Sequence, residues 1–320
     1  MSSNLKGALI ALLAFGVFAS HDVIVKVLGG NYSPVQLVFF SVLLSFPLAT
    51  ITLMGDPKPS TLRPVHPYWV GARTVTAVIT GLCAFYAFSV LPLAQVYAII
   101  FASPLIITIL SIPILGEVVR VRRWMAVIVG LCGVLVVLRP GSTELTLGHL
   151  AALVAAISNA TTSIIVRRIG SEERPVVLML YPMVANFLVM GSALYWVYVP
   201  MPVEHLGLVA VLSVLGWTGG RLVVSAYSTG EAAIVAPMQY SQILWASAYG
   251  LLFFNEVIDR PTAIGAGIII ASGVYIVLRE SRGGASANRP VLRTRSRHDT
   301  ATSFRISTFL RLRGRHPEDK

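Results

Sequence analysis

The chain has 320 residues, of which 55% are hydrophobic and 12% charged, whereas about a quarter of the residues in a typical soluble domain are charged. This composition excludes a soluble two-domain protein, a disordered chain and a disulfide-rich scaffold, and it predicts a multi-pass membrane protein. The net charge of +11 is concentrated in residues 279–320, which hold 11 Lys and Arg against 4 Asp and Glu. Cys83 and Cys132 lie in apolar runs, so they indicate neither a disulfide framework nor a metal site.

Ten apolar stretches approach the length of about 20 residues that a helix needs to cross a bilayer. They predict an all-α bundle of ten transmembrane helices, of which the fifth is short. The predicted spans cover residues 7–25, 35–54, 69–91, 93–115, 124–138, 147–166, 176–199, 206–227, 232–254 and 262–278.

The first five spans are repeated in the last five. Gly7–Lys26 aligns with Gly148–Arg167 at a shift of 141, and Gly133–Arg139 matches Gly273–Arg279 at five of seven positions. An odd number of crossings per copy forces the second copy into the membrane from the opposite side, which predicts an inverted-topology repeat. The predicted units are a first repeat at residues 1–140, a second repeat at residues 141–279 and a basic tail at residues 280–320.

The distribution of Lys and Arg in the loops predicts the orientation, because positive charge is retained on the cytoplasmic side. With the amino terminus inside, the inner loops hold eight basic residues and the outer loops hold Lys26, Arg139 and Arg260. Both termini are therefore predicted to be cytoplasmic. For the tail we expect disorder and contact with anionic lipid rather than with nucleic acid, because no folded module accompanies its charge.

The polar residues of the spans favour a carrier over other membrane proteins. His21 and Asp22 are the only close acid/base pair in a span, and adjacent residues point to different faces of a helix, which argues against an enzyme. No cluster of metal-ligating residues and no GxxxxGK[ST] phosphate loop occurs, so neither a metal, a cofactor nor a nucleotide motor is expected. A channel more naturally builds rings from several subunits, whereas inverted repeats serve alternating access. A receptor or scaffold that binds without transport remains the alternative.

Motifs in both halves resemble the EamA repeat of the drug/metabolite transporter superfamily. In the first half these motifs are Arg73, Phe85-Tyr86-Ala87, Leu91-Pro92-Leu93-Ala94-Gln95, Ser103-Pro104 and Leu115-Gly116-Glu117. In the second half they are Gly230-Glu231-Ala232, Val235-Ala236-Pro237, Gln242-Ile243-Leu244-Trp245-Ala246 and Phe254-Asn255-Glu256. The resemblance covers residues 7–279 and implies a carrier of small organic molecules in the bacterial inner membrane.

Charged residues in or near the spans are candidates for function, because charge is costly in lipid. Asp22 precedes Lys26 by four residues, so we expect the two to pair along one helix face. Arg73 lies near a helix start and is expected to extend its charge to the interface. Glu117 and Glu256 end equivalent spans and are expected to pair with Arg120 and Arg260. Arg221, in a glycine-rich helix, is the best charged candidate for a substrate contact, with a salt bridge as the equal alternative.

Amide and aromatic side chains define two polar faces that should point inward. One runs along the ninth span through Gln239, Gln242, Ala246 and Tyr249, and the other runs along the fourth through Gln95, Tyr97, Phe101 and Pro104. Pro104 and Pro237 are expected to act as hinges, and Asn186 to join the inward-facing polar residues. Ordinary interhelical hydrogen bonding explains these residues equally well. The predicted substrate-binding residues are Gln95, Tyr97, Phe101, Asn159, Arg221, Gln239, Gln242 and Trp245.

The predicted lining, rich in amides and aromatic rings with one Arg, suits a flat neutral solute better than a cation, which requires a deep carboxylate. The segments His21–Lys26 and Val235–Pro237 look most similar to riboflavin and S-adenosylmethionine uptake members of the family. Riboflavin-like uptake is the resulting prediction. S-adenosylmethionine uptake and the export of an amino acid or drug are the alternatives.

Overall fold

The computed structural model describes residues 3–54, 62–116, 119, 121–140, 144–170 and 172–282. Within these residues all regular elements are helices. The first half contains α1 (Ser3–Gly29), α2 (Pro34–Met54), α3 (Pro67–Val90), α4 (Leu93–Ile100), α5 (Ser103–Leu115) and α6 (Val121–Leu138). The second half contains α7 (Leu147–Ile169), α8 (Pro175–Val197), α9 (Val203–Thr229), α10 (Ala232–Val235), a 3₁₀ turn (Ala236–Tyr240), α11 (Ser241–Phe254) and α12 (Arg260–Arg282).

These helices form the ten spans that the sequence predicts. Eight stretches are long and apolar enough to cross a membrane, with α4 and α5 counted as one continuous stretch, and Arg123–Leu138 is a shorter apolar helix. The remaining span, which is the ninth in chain order, is the interrupted run α10, 3₁₀ turn and α11. The prediction of an all-α, ten-helix membrane protein is thus confirmed. The basic tail lies almost entirely outside the described residues, which end at residue 282.

The helices pair across the two halves in a pattern with twofold symmetry. The contacts between the halves include α1 with α9, α3 with α7, α2 with α8, α6 with α12 and α4 with α11. Exchanging each span with its counterpart five spans later converts the α1–α9 pair into the α7–α3 pair and leaves each of the other three pairs unchanged. The packing therefore has the symmetry expected for an inverted repeat.

Small residues let the paired helices approach closely, as in other membrane bundles. A Cβ added at Gly265 of α12 would lie 2.6 Å from the carbonyl oxygen of Gly133 in α6. At the end of the bundle that carries the amino terminus, a Cβ added at Gly7 would lie 2.7 Å from the backbone of Gly230. We call this end proximal, and the end at which α1 and α3 finish distal.

Gly265→Ala is expected to destabilise the α6–α12 contact, whereas Gly267→Ala in the same helix is the matched control. An added methyl at Gly265 meets Gly133 O and Val137, but nothing lies within 4 Å of one at Gly267. Overpacking costs about 1–3 kcal/mol, and both variants gain the same helix propensity. Thermal unfolding in detergent should show a lower Tm for Gly265→Ala alone. Equal Tm values for the two variants would contradict the close contact.

Candidate functional site

Two interrupted spans cross at the centre of the bundle. The fourth span breaks at Phe101 and Ala102, between α4 and α5, and the ninth is wound as a 3₁₀ turn over Ala236–Tyr240. Pro104 lies at the start of α5 and Pro237 inside the 3₁₀ turn, where their missing N–H groups disturb the helical hydrogen-bond ladder. The Phe101 and Tyr240 rings meet edge to face, with centroids 5.1 Å apart. Broken helices of this kind commonly surround the binding sites of carriers.

A buried carboxylate lies beside this crossing point. Asp22 of α1 is 1% exposed, and its carboxylate accepts hydrogen bonds from the hydroxyl of Tyr97 and from Nδ1 of His21, the latter at 2.7 Å. The Gln242 amide donates a longer bond of 3.4 Å to the Tyr97 hydroxyl. His21 is fully buried and packs edge to face on Phe85. Asp22, Tyr97 and Gln242 thus connect three spans, and we call them the central polar cluster.

The predicted pairing of Asp22 with Lys26 is wrong. Lys26 turns away to the distal end, where its Nζ lies 2.6 Å from Glu256 Oε1 and donates to the carbonyl of Leu91 at 2.6 Å. Asp22 instead accepts hydrogen bonds from Tyr97 of α4 and from its own neighbour His21, because both offer donors in a shielded position. His21 and Asp22 are in contact although adjacent residues point to different faces of a helix, since His21 Nδ1 lies 2.7 Å from the Asp22 carboxylate.

Glu256 organises the distal end of the bundle. Its Oε2 accepts a hydrogen bond of 3.2 Å from the backbone of Leu93, while Oε1 pairs with Lys26. The expected partner was Arg260, but Asn255 adopts a left-handed conformation with φ of 54° and directs the chain, and so Glu256, back over α11. Gly116, with φ of 69°, ends the fourth span in the same way, so both repeats use a residue that tolerates positive φ before the glutamate.

A second ion pair at the distal end joins Arg139 to Asp259. It links the end of α6 to the segment before α12 and is more exposed than the first pair, with side-chain exposures of 28% and 44% against 11% and 22%. Glu117 and Arg120, the predicted proximal pair, lie outside the described residues.

The structure brings some of the predicted site residues together and separates others. Tyr97, Phe101 and Gln242 lie at or beside the central polar cluster. Gln95 lies nearer the distal end, where its amide is 2.9 Å from His149 Nε2. Asn159 is buried in α7, and Gln239 is half-buried in the 3₁₀ turn. Of the predicted face, Gln242, Ala246 and Tyr249 lie in α11, whereas Gln239 lies in the preceding 3₁₀ turn.

Arg221 and Trp245 do not face the centre. Arg221 is exposed, and its guanidinium lies over the Trp217 ring at 5.0 Å on the same face of α9. The opposite face contains Gly219, which packs so tightly on Phe18 of α1 that a Cβ there would lie 2.5 Å from the ring. The prediction that Arg221 points into the bundle is therefore wrong. Trp245 is 37% exposed and packs on Gly16 at the edge of the bundle.

Arg73 is buried rather than interfacial, which corrects the expectation for this residue. It is 2% exposed, because it lies nearly two turns into α3, where that helix packs against α7. His149 and the His21–Asp22 pair were likewise not among the predicted site residues. Asn186 is 4% exposed and donates to the Pro182 carbonyl at 2.9 Å, an ordinary bond within one helix. Within the described residues no three His, Cys, Asp or Glu side chains are grouped to hold a metal.

Comparison with known proteins identifies the family. The profile of the EamA-like transporter family matches twice, at residues 5–139 and 146–279. The chain belongs to the EamA-like transporter family. This EamA protein is 27% identical over 301 residues to the S-adenosylmethionine uptake transporter of Rickettsia prowazekii, an alignment that covers 89% of this chain and 97% of the relative. It is 28% identical over 286 residues to the Rickettsia bellii protein of the same name, covering 85% and 93%.

Another relative transports in the opposite direction. The pseudopaline exporter CntI of Pseudomonas aeruginosa is 27% identical over 281 residues, covering 87% of this chain and 97% of the relative. A solved crystal structure superposes with a TM-score of 0.56 at 18% identity over 88% of this chain and 100% of that one, which supports the fold alone. Family membership makes this EamA protein a membrane transporter of a small molecule rather than an enzyme.

Proposed function

We propose that this EamA protein is a secondary carrier that takes up S-adenosylmethionine, or a close chemical relative, across the bacterial inner membrane by alternating access. The observation that carries the proposal is the Asp22 carboxylate, 1% exposed at the crossing of the two interrupted spans. S-adenosylmethionine is a sulfonium cation, and a cation removed from water requires an opposite charge. The names of the Rickettsia relatives support the same substrate.

Riboflavin-like uptake is not supported by these relatives, and its physical basis has also failed. That prediction relied on the lack of a deep carboxylate, which came from assigning Asp22 to a pair with Lys26. The structure buries Asp22 among aromatic rings instead: Phe88 lies 5.3 Å and Phe101 5.7 Å from the Tyr97 ring. Aromatic faces attract cations, so the rings of Tyr97 and Phe101 can stabilise a sulfonium as well as stack on a flat solute.

Transport by this mechanism requires movement, because Asp22 and Tyr97 are both almost fully buried. The two breaks, at Phe101 and in the turn Ala236–Tyr240, are where the halves of each span can change angle without losing a regular helix. Opening the distal end also requires separation of Lys26 from Glu256. The substrate would then reach Asp22 from one side at a time.

Purified protein in liposomes should take up radiolabelled S-adenosylmethionine saturably and show counterflow without added nucleotide. Excess unlabelled S-adenosylmethionine should compete, and riboflavin should not. Binding without flux would instead support a receptor or scaffold. Flux that proceeds only from the cytoplasmic face, for a substrate other than S-adenosylmethionine, would favour an exporter of the kind represented by the Pseudomonas relative.

For the orientation we propose cytoplasmic termini, with the distal end periplasmic. The loops at the distal end hold three basic residues, Lys26, Arg139 and Arg260, against eight in the proximal loops, and positive charge is retained on the cytoplasmic side. A reporter fused after Pro140 should read periplasmic and one fused after Arg279 cytoplasmic. The same reading from both fusions would contradict the inverted repeat.

A further inference from the structure

A pocket opens at the distal end, one helical turn beyond the central polar cluster. Its empty volume is about 320 Å³, and it lies between the start of α4, the end of α11 and the segment that leads into α12. The lining includes Gln95, Ser247, Glu256, Asp259 and Thr262. This space includes open solvent and only a small part of it is enclosed, so the pocket suits one end of a substrate rather than the whole molecule.

Thr262 provides an unsatisfied polar group in the pocket wall. The residue is 3% exposed, and its hydroxyl has no hydrogen-bond partner among the residues that the structure describes. Buried hydroxyls nearly always have a partner, and those without one need an explanation such as a missing ligand or water. A hydroxyl can donate to a carboxylate oxygen or accept from an ammonium.

Glu256 lines the pocket and is paired with Lys26, so a positive charge lies next to the pocket wall as well. Lys26 Nζ lies 2.6 Å from Glu256 Oε1 and 5.2 Å from the centre of the Phe254 ring, and the two charged side chains are only 11% and 22% exposed. Gly250 makes room for the carboxylate, since a Cβ there would lie 3.2 Å from Glu256 Oε2. The pair thus holds an ammonium and a carboxylate in direct contact, and each is a potential partner for an ion of opposite charge.

We infer that this pocket recognises the α-ammonium and α-carboxylate of an amino-acid group before the substrate reaches the centre. The substrate's ammonium replaces Lys26 on Glu256, and its carboxylate pairs with Lys26 and the Thr262 hydroxyl. One ion pair is exchanged for two, so no buried charge is left without a partner, and the separation of Lys26 from Glu256 loosens the distal end.

The position of Lys26 connects recognition to the central polar cluster. Lys26 follows Asp22 by four residues, which is about 6 Å along the helix axis. A substrate that holds its amino-acid group at Glu256 therefore places a cationic centre a few bonds away within reach of Asp22. This inference extends the proposed function, because S-adenosylmethionine carries an amino-acid group and a sulfonium, but the pocket can be tested without that substrate.

A single cysteine in the pocket wall tests the site. Ser247→Cys is introduced after Cys83 and Cys132 are replaced by Ala, and the alkylation rate with N-ethylmaleimide is measured on purified protein. L-methionine at about ten times its Kd should slow the reaction about tenfold. The amine 3-methylthiopropylamine and the acid 3-methylthiopropionate, which each carry one of the two charges, should protect far less.

Charge-neutral variants provide the decisive comparison. Lys26→Gln and Glu256→Gln should each abolish protection by L-methionine, whereas Arg139→Gln, which removes a different distal cation, should keep it. Equal protection by the three compounds, or protection that survives Glu256→Gln, would overturn the inference. Ile258→Cys, a second pocket position, checks access, and lack of alkylation at both positions would also overturn it.

The experiments distinguish a failure of this recognition site from a failure of the proposed transport of S-adenosylmethionine. Uptake of S-adenosylmethionine without protection by L-methionine removes the recognition site and leaves the carrier proposal intact. Protection by L-methionine without S-adenosylmethionine flux removes that substrate and leaves the site intact.

Discussion

Asp22→Asn should reduce kcat/KM for a cationic substrate in proteoliposomes about 100-fold, equivalent to about 2.7 kcal/mol. Asn keeps the shape of Asp and one acceptor oxygen but removes the charge. Contacts with a charged partner at a shielded site are worth about 1.5–3 kcal/mol each, and Asp22 is the carboxylate at the centre of the bundle. Initial rates of labelled S-adenosylmethionine uptake over a range of concentrations measure the effect.

Two companion variants make this result specific. Tyr97→Phe removes one hydrogen bond to the carboxylate and should cost about tenfold, or roughly 1.4 kcal/mol. Glu231→Gln, an exposed carboxylate at the proximal end, should leave transport unchanged. Removing one partner of a buried polar cluster can itself destabilise the protein, so thermal unfolding of Asp22→Asn separates a loss of transport from a loss of folding. Unchanged kcat/KM in a stable Asp22→Asn protein would show that the cation is held elsewhere.

Charge reversal at the Lys26–Glu256 pair should nearly abolish transport, and the double swap should recover most of it. Lys26→Glu or Glu256→Lys alone sets two like charges together in a site that is only partly exposed to water. Breaking a shielded pair costs about 3–5 kcal/mol, enough to prevent closure of the distal end. Lys26→Glu combined with Glu256→Lys restores opposite charges at the same place. Uptake rates for the two single variants and the double variant form a double-mutant cycle.

The Arg139–Asp259 pair provides the matched control. Its side chains are more exposed, and exposed pairs contribute about 0–1 kcal/mol. Arg139→Glu should therefore reduce transport no more than a fewfold. A reduction as large as that of Lys26→Glu would mean that net charge at the distal end, rather than the specific pair, controls closure. Failure of the double swap to recover transport would point to the Leu91 carbonyl and Leu93 amide as the essential partners.

The spans could be predicted from the sequence because the requirement for them is local. A run of about 20 apolar residues is needed to cross the bilayer, and nearly every helix boundary falls within a few residues of the predicted one. The break in the ninth span could be anticipated from Pro237, but its 3₁₀ form could not. The turn places Gln239 outside α11, the α-helix that holds Gln242.

The site could be predicted less well, because it depends on partners far apart in the chain. Asp22 and Lys26 have the spacing of a local pair, but Tyr97 and Glu256 from other spans take those roles. The face of Arg221 was misjudged for a different reason. Its helix is apolar around most of its circumference, and the face that packs inward is marked mainly by small residues such as Gly216 and Gly219.

The central carboxylate exists in only one of the two repeats. The shift of 141 that aligns the halves places Ser163 where Asp22 would recur. Alternating access in an inverted repeat exchanges the conformations of the halves, and here that exchange is not a symmetric operation, because the charge stays with the first half. We therefore expect the inward-open and outward-open states to differ in free energy. The substrate concentration that gives half-maximal transport should then differ between the two membrane faces. Without a driving gradient, kcat/KM must still be equal in both directions. The face with the lower KM must therefore also have the lower kcat.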